Sequence, residues 1–242
     1  MHVDMQDVKA KEMSEATSER ILLPREKSAT QQVEVKHWTV GPEGEVEIPS
    51  EERCEAAVYV LSGRGLMQGK RTATRGIILY TDMAVWFARG GFVLSNSGEG
   101  EMRVLMISTK TDREHYEFTR PRMSYFWHAD FRLQAGYHAR SFWKNEDLTT
   151  AGALRTHGLE VETLAPGYEA APHTDPEEVL YVLRGKGEIL SEGERRKVAA
   201  GTLCYQPAGT PHGIWNTSHL DNMEYLVMEF NEASKRYAPL MG

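Results

Sequence analysis

The chain has little cysteine, and it contains neither a long apolar run nor an apolar leader. Only two of its 242 residues are cysteines, Cys54 and Cys204, so it has neither the framework of a disulfide-rich secreted domain nor a CxxC pair. No stretch reaches the ~20 apolar residues that a membrane span needs. The first twenty residues, MHVDMQDVKAKEMSEATSER, are polar and do not resemble a secretory signal. We therefore expect a cytoplasmic protein that does not enter membranes.

Basic charge is also scarce. The 28 Lys and Arg residues are outnumbered by 35 Asp and Glu residues, which gives a formal net charge of −7. The basic residues are scattered, apart from the short run ERRK at 194–197, which lies between two strand-like segments. The chain thus lacks the positive patch that binding to nucleic acid or an anionic membrane requires. We expect neither partner.

Helical periodicity is scarce as well, whereas short strand-like segments are abundant. Segments such as VEVKHWTV, MRVLMIS and MEYLVMEF are separated by Gly, Pro, Asn and Asp, which is typical of antiparallel sheets joined by turns. Candidate helices are confined to residues 144–156 and 231–237. The pattern predicts an all-β protein of antiparallel barrels or sandwiches with few short helices.

An internal repeat indicates two such barrels in tandem. Residues 55–65, EAAVYVLSGRG, match residues 177–187, EEVLYVLRGKG, at an offset of 122, and GxG is typical of a strand that enters a tight hairpin. We predict a polar N-terminal arm at 1–30, a first lobe at 31–110, a connection without a repeat partner at 111–150 and a second lobe at 151–242.

The second lobe carries two motifs that resemble those of the cupin family. Residues 201–216, GTLCYQPAGTPHGIWN, fit the pattern G-x5-P-x-G-x2-H-x3-N at every fixed position, including His212. Residues 167–185 fit most of G-x5-H-x-H-x3,4-E-x6-G through His173 and Glu178, but Asp175 replaces the second His and the spacing to Glu178 is one residue short. The resemblance implies two tandem antiparallel jelly-roll barrels, a bicupin, with ligand residues at the mouth of the second.

A metal site is the chemistry that this pattern indicates. We expect one divalent ion, Fe²⁺ or Mn²⁺, at His173, Glu178 and His212, because two imidazoles and a carboxylate with open positions suit such metals. Asp175 has four interpretations. It lies beside the triad; it replaces Glu178 in a His-x-Asp…His set resembling that of 2-oxoglutarate oxygenases; it is a fourth ligand; or it is only a turn residue before Pro176.

The first lobe lacks this ligand set. The offset of 122 places Glu51, Arg53 and Ala56 opposite His173, Asp175 and Glu178, and counting from Gly76 places Phe87 opposite His212. The first lobe is therefore predicted to be metal-free. In the second lobe, strand alternation directs four more side chains toward the barrel interior as candidate lining of a substrate pocket, namely Gln206, Leu180, Val182 and Ile214.

These residues suggest an enzyme that acts on a small molecule. The triad favours a non-haem Fe(II) reaction and resembles that of hydroxyanthranilate-type dioxygenases. A Mn-dependent hydrolase or isomerase, similar to ureidoglycine aminohydrolases, and a non-catalytic sensor remain alternatives. No residue is singled out as a general acid or base. The family resemblance, the edge strands and the polar N-terminal arm also predict a homodimer.

Overall fold

The computed structural model describes residues 1–70, 76–115, 121–125 and 129–231. Most of them lie in short strands, as expected for segments rich in Val, Ile, Tyr and Trp between turn residues. The first eleven strands are β1 (His2–Asp4), β2 (Lys11–Ser14), β3 (Thr17–Leu23), β4 (Val33–Val40), β5 (Glu45–Ile48), β6 (Cys54–Ser62), β7 (Arg64–Gly69), β8 (Ile77–Tyr80), β9 (Met83–Ala88), β10 (Phe92–Asn96) and β11 (Met102–Lys110).

The second eleven strands repeat this order. They are β12 (Arg122–Tyr125), β13 (Asp130–Gln134), β14 (Tyr137–Trp143), β15 (Thr156–Leu164), β16 (Glu169–His173), β17 (Glu177–Arg184), β18 (Lys186–Ser191), β19 (Glu194–Ala199), β20 (Thr202–Gln206), β21 (His212–Asn216) and β22 (Met223–Phe230). Within the described ranges, helical structure is limited to α1 (Asn145–Thr150) and 3-10 turns at Met5–Asp7 and Arg25–Lys27. The predicted helix at 231–237 lies outside the described residues, apart from residue 231.

Each barrel consists of a seven-stranded and a four-stranded sheet. In the first barrel the orders are β12-β9-β6-β11-β4-β3-β2 and β5-β10-β7-β8; in the second they are β1-β20-β17-β22-β15-β14-β13 and β16-β21-β18-β19. The neighbouring strands are antiparallel throughout these pairings. The prediction of two all-β, antiparallel jelly-roll barrels with few short helices is confirmed.

The strand order extends the repeat into two segments that the sequence did not match. The strands β1 to β3, in the expected polar arm, have the same order as β12 to β14, in the expected connection. The statement that residues 111–150 have no repeat partner is therefore wrong. Moreover, β1 pairs with β20 of the second barrel, whereas β12 pairs with β9 of the first. The strand that precedes each barrel in the chain therefore pairs with the opposite barrel: β1 completes the sheet edge beside β20, and β12 completes the edge beside β9.

The outer faces of the two seven-stranded sheets pack on each other. One hydrophobic core contains side chains of both barrels, among them Tyr59, Trp86 and Leu105 of the first and Tyr181 and Leu226 of the second. Each barrel has a further core inside it. Because successive side chains of a strand point to opposite faces, one strand serves both the interior of its barrel and the contact between barrels.

Two buried glutamates at equivalent positions reinforce this contact. Glu55, fully buried, accepts hydrogen bonds from the backbone N–H groups of Arg155 and Thr156, with the Thr156 N–H at 2.7 Å. Glu177 accepts one at 2.5 Å from Arg155 and one at 2.8 Å from the hydroxyl of Thr30, in the first half of the chain. Each carboxylate thereby fixes the chain of the opposite barrel.

No described helix has the length and apolar character needed to span a membrane.

Candidate metal centre

Three sequence elements of the second barrel bring the predicted ligands together. His173 ends β16, Asp175 follows in the loop, Glu178 is the second residue of β17, and His212 begins β21. His173 and His212 are direct partners in the β16–β21 register, and their rings lie 4.5 Å apart between centroids. The four predicted ligands therefore share one end of the barrel.

Short polar contacts connect these side chains in two pairs. Nε2 of His212 lies 2.6 Å from Oε1 of Glu178, and both side chains are buried. Nε2 of His173 lies 2.8 Å from Oδ2 of Asp175, and these two side chains are partly exposed. The cluster thus has a buried half, formed by β17 and β21, and a half at the barrel mouth.

A fifth residue, Glu229, belongs to the same cluster and was missed in the sequence. Glu229 is the direct partner of Glu178 in the β17–β22 register. Ligand atoms of Asp175, Glu178 and Glu229 lie within 4.8 Å of one another, and so do those of His173, Asp175 and His212. Alternation along β22 could have indicated it, because Glu229 shares a face with Val227 and Tyr225, two residues of the barrel core.

The turn before β21 orients His212. Pro207 and Gly209 shape it, with Gly209 at a φ of 73° that favours glycine, and the N–H of Thr210 donates to the carbonyl of Pro207. Nδ1 of His212 lies 2.8 Å from the carbonyl of Thr210. A carbonyl accepts only, so Nδ1 carries the proton and Nε2 is the nitrogen presented to the cluster.

Several buried polar atoms of the cluster lack a conventional hydrogen-bond partner among the described residues. They are Oε1 of Glu178, Nε2 of His212 and Nε2 of Gln206. Gln206 is the β20 partner of Glu178, and its side-chain oxygen accepts a 2.6 Å hydrogen bond from Ser191. Buried polar groups are normally satisfied, so these orphaned atoms fit a cation held between them, with Gln206 able to donate to a molecule beside it.

Charges within the cluster shift two pKa values. Burial opposes protonation of His212, but the Glu178 carboxylate, 2.6 Å away, outweighs it, so the pKa of His212 is raised. Burial, and then the negative charges of Glu160, Glu178 and Asp175, raises the pKa of Glu229 to about 7. Such crowding of carboxylates favours a bound positive charge.

The remaining predicted pocket residues lie in the hydrophobic core of the second barrel. Leu180, Val182 and Ile214 are all buried there. A separate open pocket of about 220 Å³ reaches Glu229 from the side of β13 to β15 and is lined by Arg132, Lys144 and His157 among others. Of the five clustered residues, Glu229 lines this pocket.

Comparison with known proteins agrees with this architecture. A family model described as "Cupin domain" matches residues 160–229. A variant of oxalate decarboxylase from Bacillus subtilis superposes with a TM-score of 0.73 at 14% identity, over 95% of this chain and 76% of that one. Its superposition extends over both barrels. The chain has a bicupin fold, and its second barrel contains the matched cupin domain.

Two curated proteins are similar to part of this chain. Auxin-binding protein 4 of Zea mays is 29% identical over 109 residues, 40% of this chain and 53% of that protein. Quercetin 2,3-dioxygenase of Bacillus subtilis is 31% identical over 109 residues, 43% of this chain and 32% of the enzyme. The matches thus span about half and a third of these relatives.

The first barrel has apolar residues at the positions that correspond to His173, Glu178, Gln206 and His212. Strand registers place Ala56 at the position of Glu178, Phe87 at that of Gln206 and Phe92 at that of His212. Hence the sequence-based alignment of Phe87 with His212 is wrong, because Gly76 precedes β8, the counterpart of β19, whereas Gly201 precedes β20, the counterpart of β9. Ile48, rather than Glu51, corresponds to His173.

Proposed function

We propose that the second barrel binds one divalent metal ion through His173, Glu178 and His212. The observation that supports this most directly is the buried 2.6 Å pair between His212 Nε2 and Glu178 Oε1. Neither atom has a conventional hydrogen-bond partner in the part of the chain that the structure describes. Asp175 and Glu229 lie close enough to join the ion or to bind its water ligands. Three carboxylates and two imidazoles are a hard donor set, which suits Fe²⁺ and Mn²⁺.

We propose further that the chain is a metal-dependent enzyme acting on a small molecule, with a dioxygenase-type reaction as the leading class. A bound Fe²⁺ would supply open positions for substrate and oxygen. The residues of the chain would hold the ion, exclude water through the apolar barrel interior, and orient the substrate at Gln206. The partial similarity to quercetin 2,3-dioxygenase supports this class.

A second candidate is a Mn²⁺-dependent hydrolase or isomerase, and the extra carboxylates favour it. Asp175 and Glu229 add negative charge beside the triad, which suits a Lewis-acid role on a carbonyl or enol more than a redox role. A carboxylate not needed as a ligand could also move a proton. A protein that binds small molecules without metal would instead be the sensor.

The structural surroundings support a cytoplasmic homodimer. Both cysteines are free, as is usual in a reducing compartment. The edge strand β13 presents Phe131 and Leu133, which are 53% and 72% exposed, and such an edge can pair with a second copy. Light scattering during size exclusion should give about twice the 27.4 kDa chain mass, and a monomeric mass would contradict the dimer.

Metal content per chain tests the proposal. Protein purified without chelator should contain about one equivalent of iron or manganese by plasma mass spectrometry, and His212→Ala and Glu178→Ala should contain almost none. Asp175→Ala distinguishes its interpretations: retention leaves the triad sufficient, whereas loss makes Asp175 a ligand. Phe92→Leu, at the equivalent of His212 in the first barrel, is the matched control and should retain the metal.

The identity and use of the metal distinguish the candidate functions. Oxygen consumption by iron-loaded protein with phenolic or enediol substrates would support the dioxygenase class, and turnover without oxygen by manganese-loaded protein would support the second class. A wild-type protein that contains no metal and takes up neither Fe²⁺ nor Mn²⁺ would overturn the metal site and the enzyme with it.

A further inference from the structure

A cavity of about 590 Å³ lies between the two barrels. Its walls include Tyr59 and Leu61 of β6 and their counterparts Tyr181 and Leu183 of β17, which follow the internal repeat. Met5, from the segment that follows the exchanged strand β1, also lines it. The volume lies within the ~300–1,000 Å³ typical of small-molecule sites, and the cavity is larger than the pocket at Glu229.

This cavity is separate from the candidate metal centre. None of the five clustered residues described above lines it. Tyr181 belongs to the core between the barrels, whereas the adjacent Leu180 belongs to the core inside the second barrel. Because side chains alternate across a strand, the seven-stranded sheet of the second barrel lies between the two sites.

The charged residues that line the cavity differ in how completely they are paired with other side chains. Asp82 accepts a 2.8 Å hydrogen bond from the Tyr59 hydroxyl and lies 3.8 Å from Arg184. Glu224 lies 3.6 Å from the same arginine. Among the residues that the structure describes, Arg103, on the wall of the first barrel, pairs with Glu101 at 3.2 Å, and both side chains are more than half exposed. Asp82 and Glu224 thus interact with Arg184, whereas the guanidinium of Arg103 retains N–H donors that a ligand can use.

His37 of β4 is a buried polar residue that lines the cavity on the side of the first barrel, as Arg103 does. It is 2% exposed, and its Nδ1 has no hydrogen-bond partner. Burial, and then the positive charges of Arg20 and Arg103, lowers the pKa of His37 to about 4. His37 is therefore neutral at pH 7 and lies in positive surroundings, where a negative charge is stabilised. A neutral imidazole keeps one N–H that can donate to an acceptor.

We propose that this cavity is a second binding site, which takes a small amphipathic carboxylate with its charged group toward Arg103 and His37. The hydrocarbon or aromatic body of the ligand packs against Leu61, Leu183 and Tyr181. Since the ligand contacts both barrels, its binding stabilises their contact. The site functions without a metal, so its occupancy is independent of the proposed function of the second barrel.

Calorimetric titration of the full chain with benzoate and with octanoate tests the proposal. We expect one molecule per chain for at least one of these anions, and about tenfold weaker binding of the neutral amide of the same body, because a charge-assisted contact is lost. Arg103→Gln should weaken binding of the anion by about tenfold and leave binding of the amide unchanged. Leu61→Trp should abolish both by filling the cavity.

Two controls separate this site from the metal centre. Glu178→Gln and chelator-treated wild-type protein should bind the anion as tightly as untreated protein. Arg103 is exposed, so Arg103→Gln keeps the test valid if Leu61→Trp does not fold. The proposal is overturned if neither anion binds at ~10 mM, if Arg103→Gln binds both anions normally, or if binding disappears with the chelator, which would place the anion at the metal.

Discussion

The two barrels differ most clearly at one dipeptide. The first barrel has Glu55-Ala56 where the second has Glu177-Glu178. In each pair the first residue faces the opposite barrel and the second faces the barrel interior. The outward glutamate is present twice because both halves of the contact need a buried acceptor. The inward glutamate is present once, where His173 and His212 accompany it.

The surroundings of the inward residue explain this asymmetry. In the first barrel, Ala56 lies in a core with Phe87, and Phe92 packs on that core with its ring 5.1 Å from that of Phe87. Close-packed aromatic rings leave neither polar partners nor space for an ion. The same fold thus carries a packed core in one copy and a polar cluster in the other.

The largest effect should come from placing a carboxylate in the first barrel. Ala56→Glu should lower the free energy of unfolding by about 4 kcal/mol, because it buries an unpaired acid in a full core. Urea denaturation measures this, with Ala56→Ser as control at about 1 kcal/mol. A variant as stable as the wild type would show that the first barrel accepts a ligand residue.

The outward glutamates should come next. Glu177→Gln should cost about 3 kcal/mol, because it leaves the buried Arg155 without its anionic partner. Glu55→Gln should cost a similar amount, because an amide nitrogen would face backbone N–H donors. The exposed Glu52→Gln serves as control and should change stability by less than about 0.5 kcal/mol. If Glu55→Gln and Glu177→Gln also changed stability by less than about 0.5 kcal/mol, the two glutamates would not stabilise the contact between the barrels.

A smaller effect, on the Kd for Mn²⁺, is expected at Glu229 but not at Ser108, its equivalent in the first barrel. Glu229→Gln should raise the Kd for Mn²⁺ about tenfold, or about 1.4 kcal/mol, because a carboxylate beside the triad is lost. Ser108→Ala, at the same position of the first barrel, should leave the Kd unchanged. Competition with a fluorescent chelator measures both, and equal Kd values for Glu229→Gln and wild type would exclude Glu229 from the site.

The smallest effect concerns pH. Burial, and then the negative charge of Glu160, raises the pKa of Glu162 to about 7, against hydrogen bonds from Tyr225 and Tyr137 that lower it. Between about pH 4.5 and 7 the folded state therefore binds more protons than the unfolded state, and the contribution of Glu162 to stability falls as pH rises.

Replacing this residue should remove that contribution. On chelator-treated protein, the stability of Glu162→Gln relative to wild type should rise by about 1 kcal/mol from pH ~6 to ~7.5. Urea midpoints at several pH values provide the measurement. A difference that stays constant with pH would mean that Glu162 ionises normally.

The fold and the positions of the predicted ligands could be read from local patterns. The fixed spacings around His173 and His212 depend on turns of defined length, so the sequence motifs alone indicate where these ligands lie. Glu229 could not be found in this way, because it enters the cluster through the register of β22 with β17 rather than through a motif. The match of Phe87 with His212 failed because the count started from two glycines that are not equivalent: Gly76 precedes β8, the counterpart of β19, and Gly201 precedes β20.

The pairing of β1 with β20 has a consequence for synthesis of the chain. His2 and its register partner Cys204 leave the ribosome about 200 residues apart, which at ~5–20 residues per second is an interval of roughly 10–40 s. Throughout that time the first strand has no native partner, while the strands of the first barrel can already assemble. Closure of the second barrel therefore depends on a segment made well before it, so the second barrel cannot complete its sheet independently of the chain that precedes the first barrel.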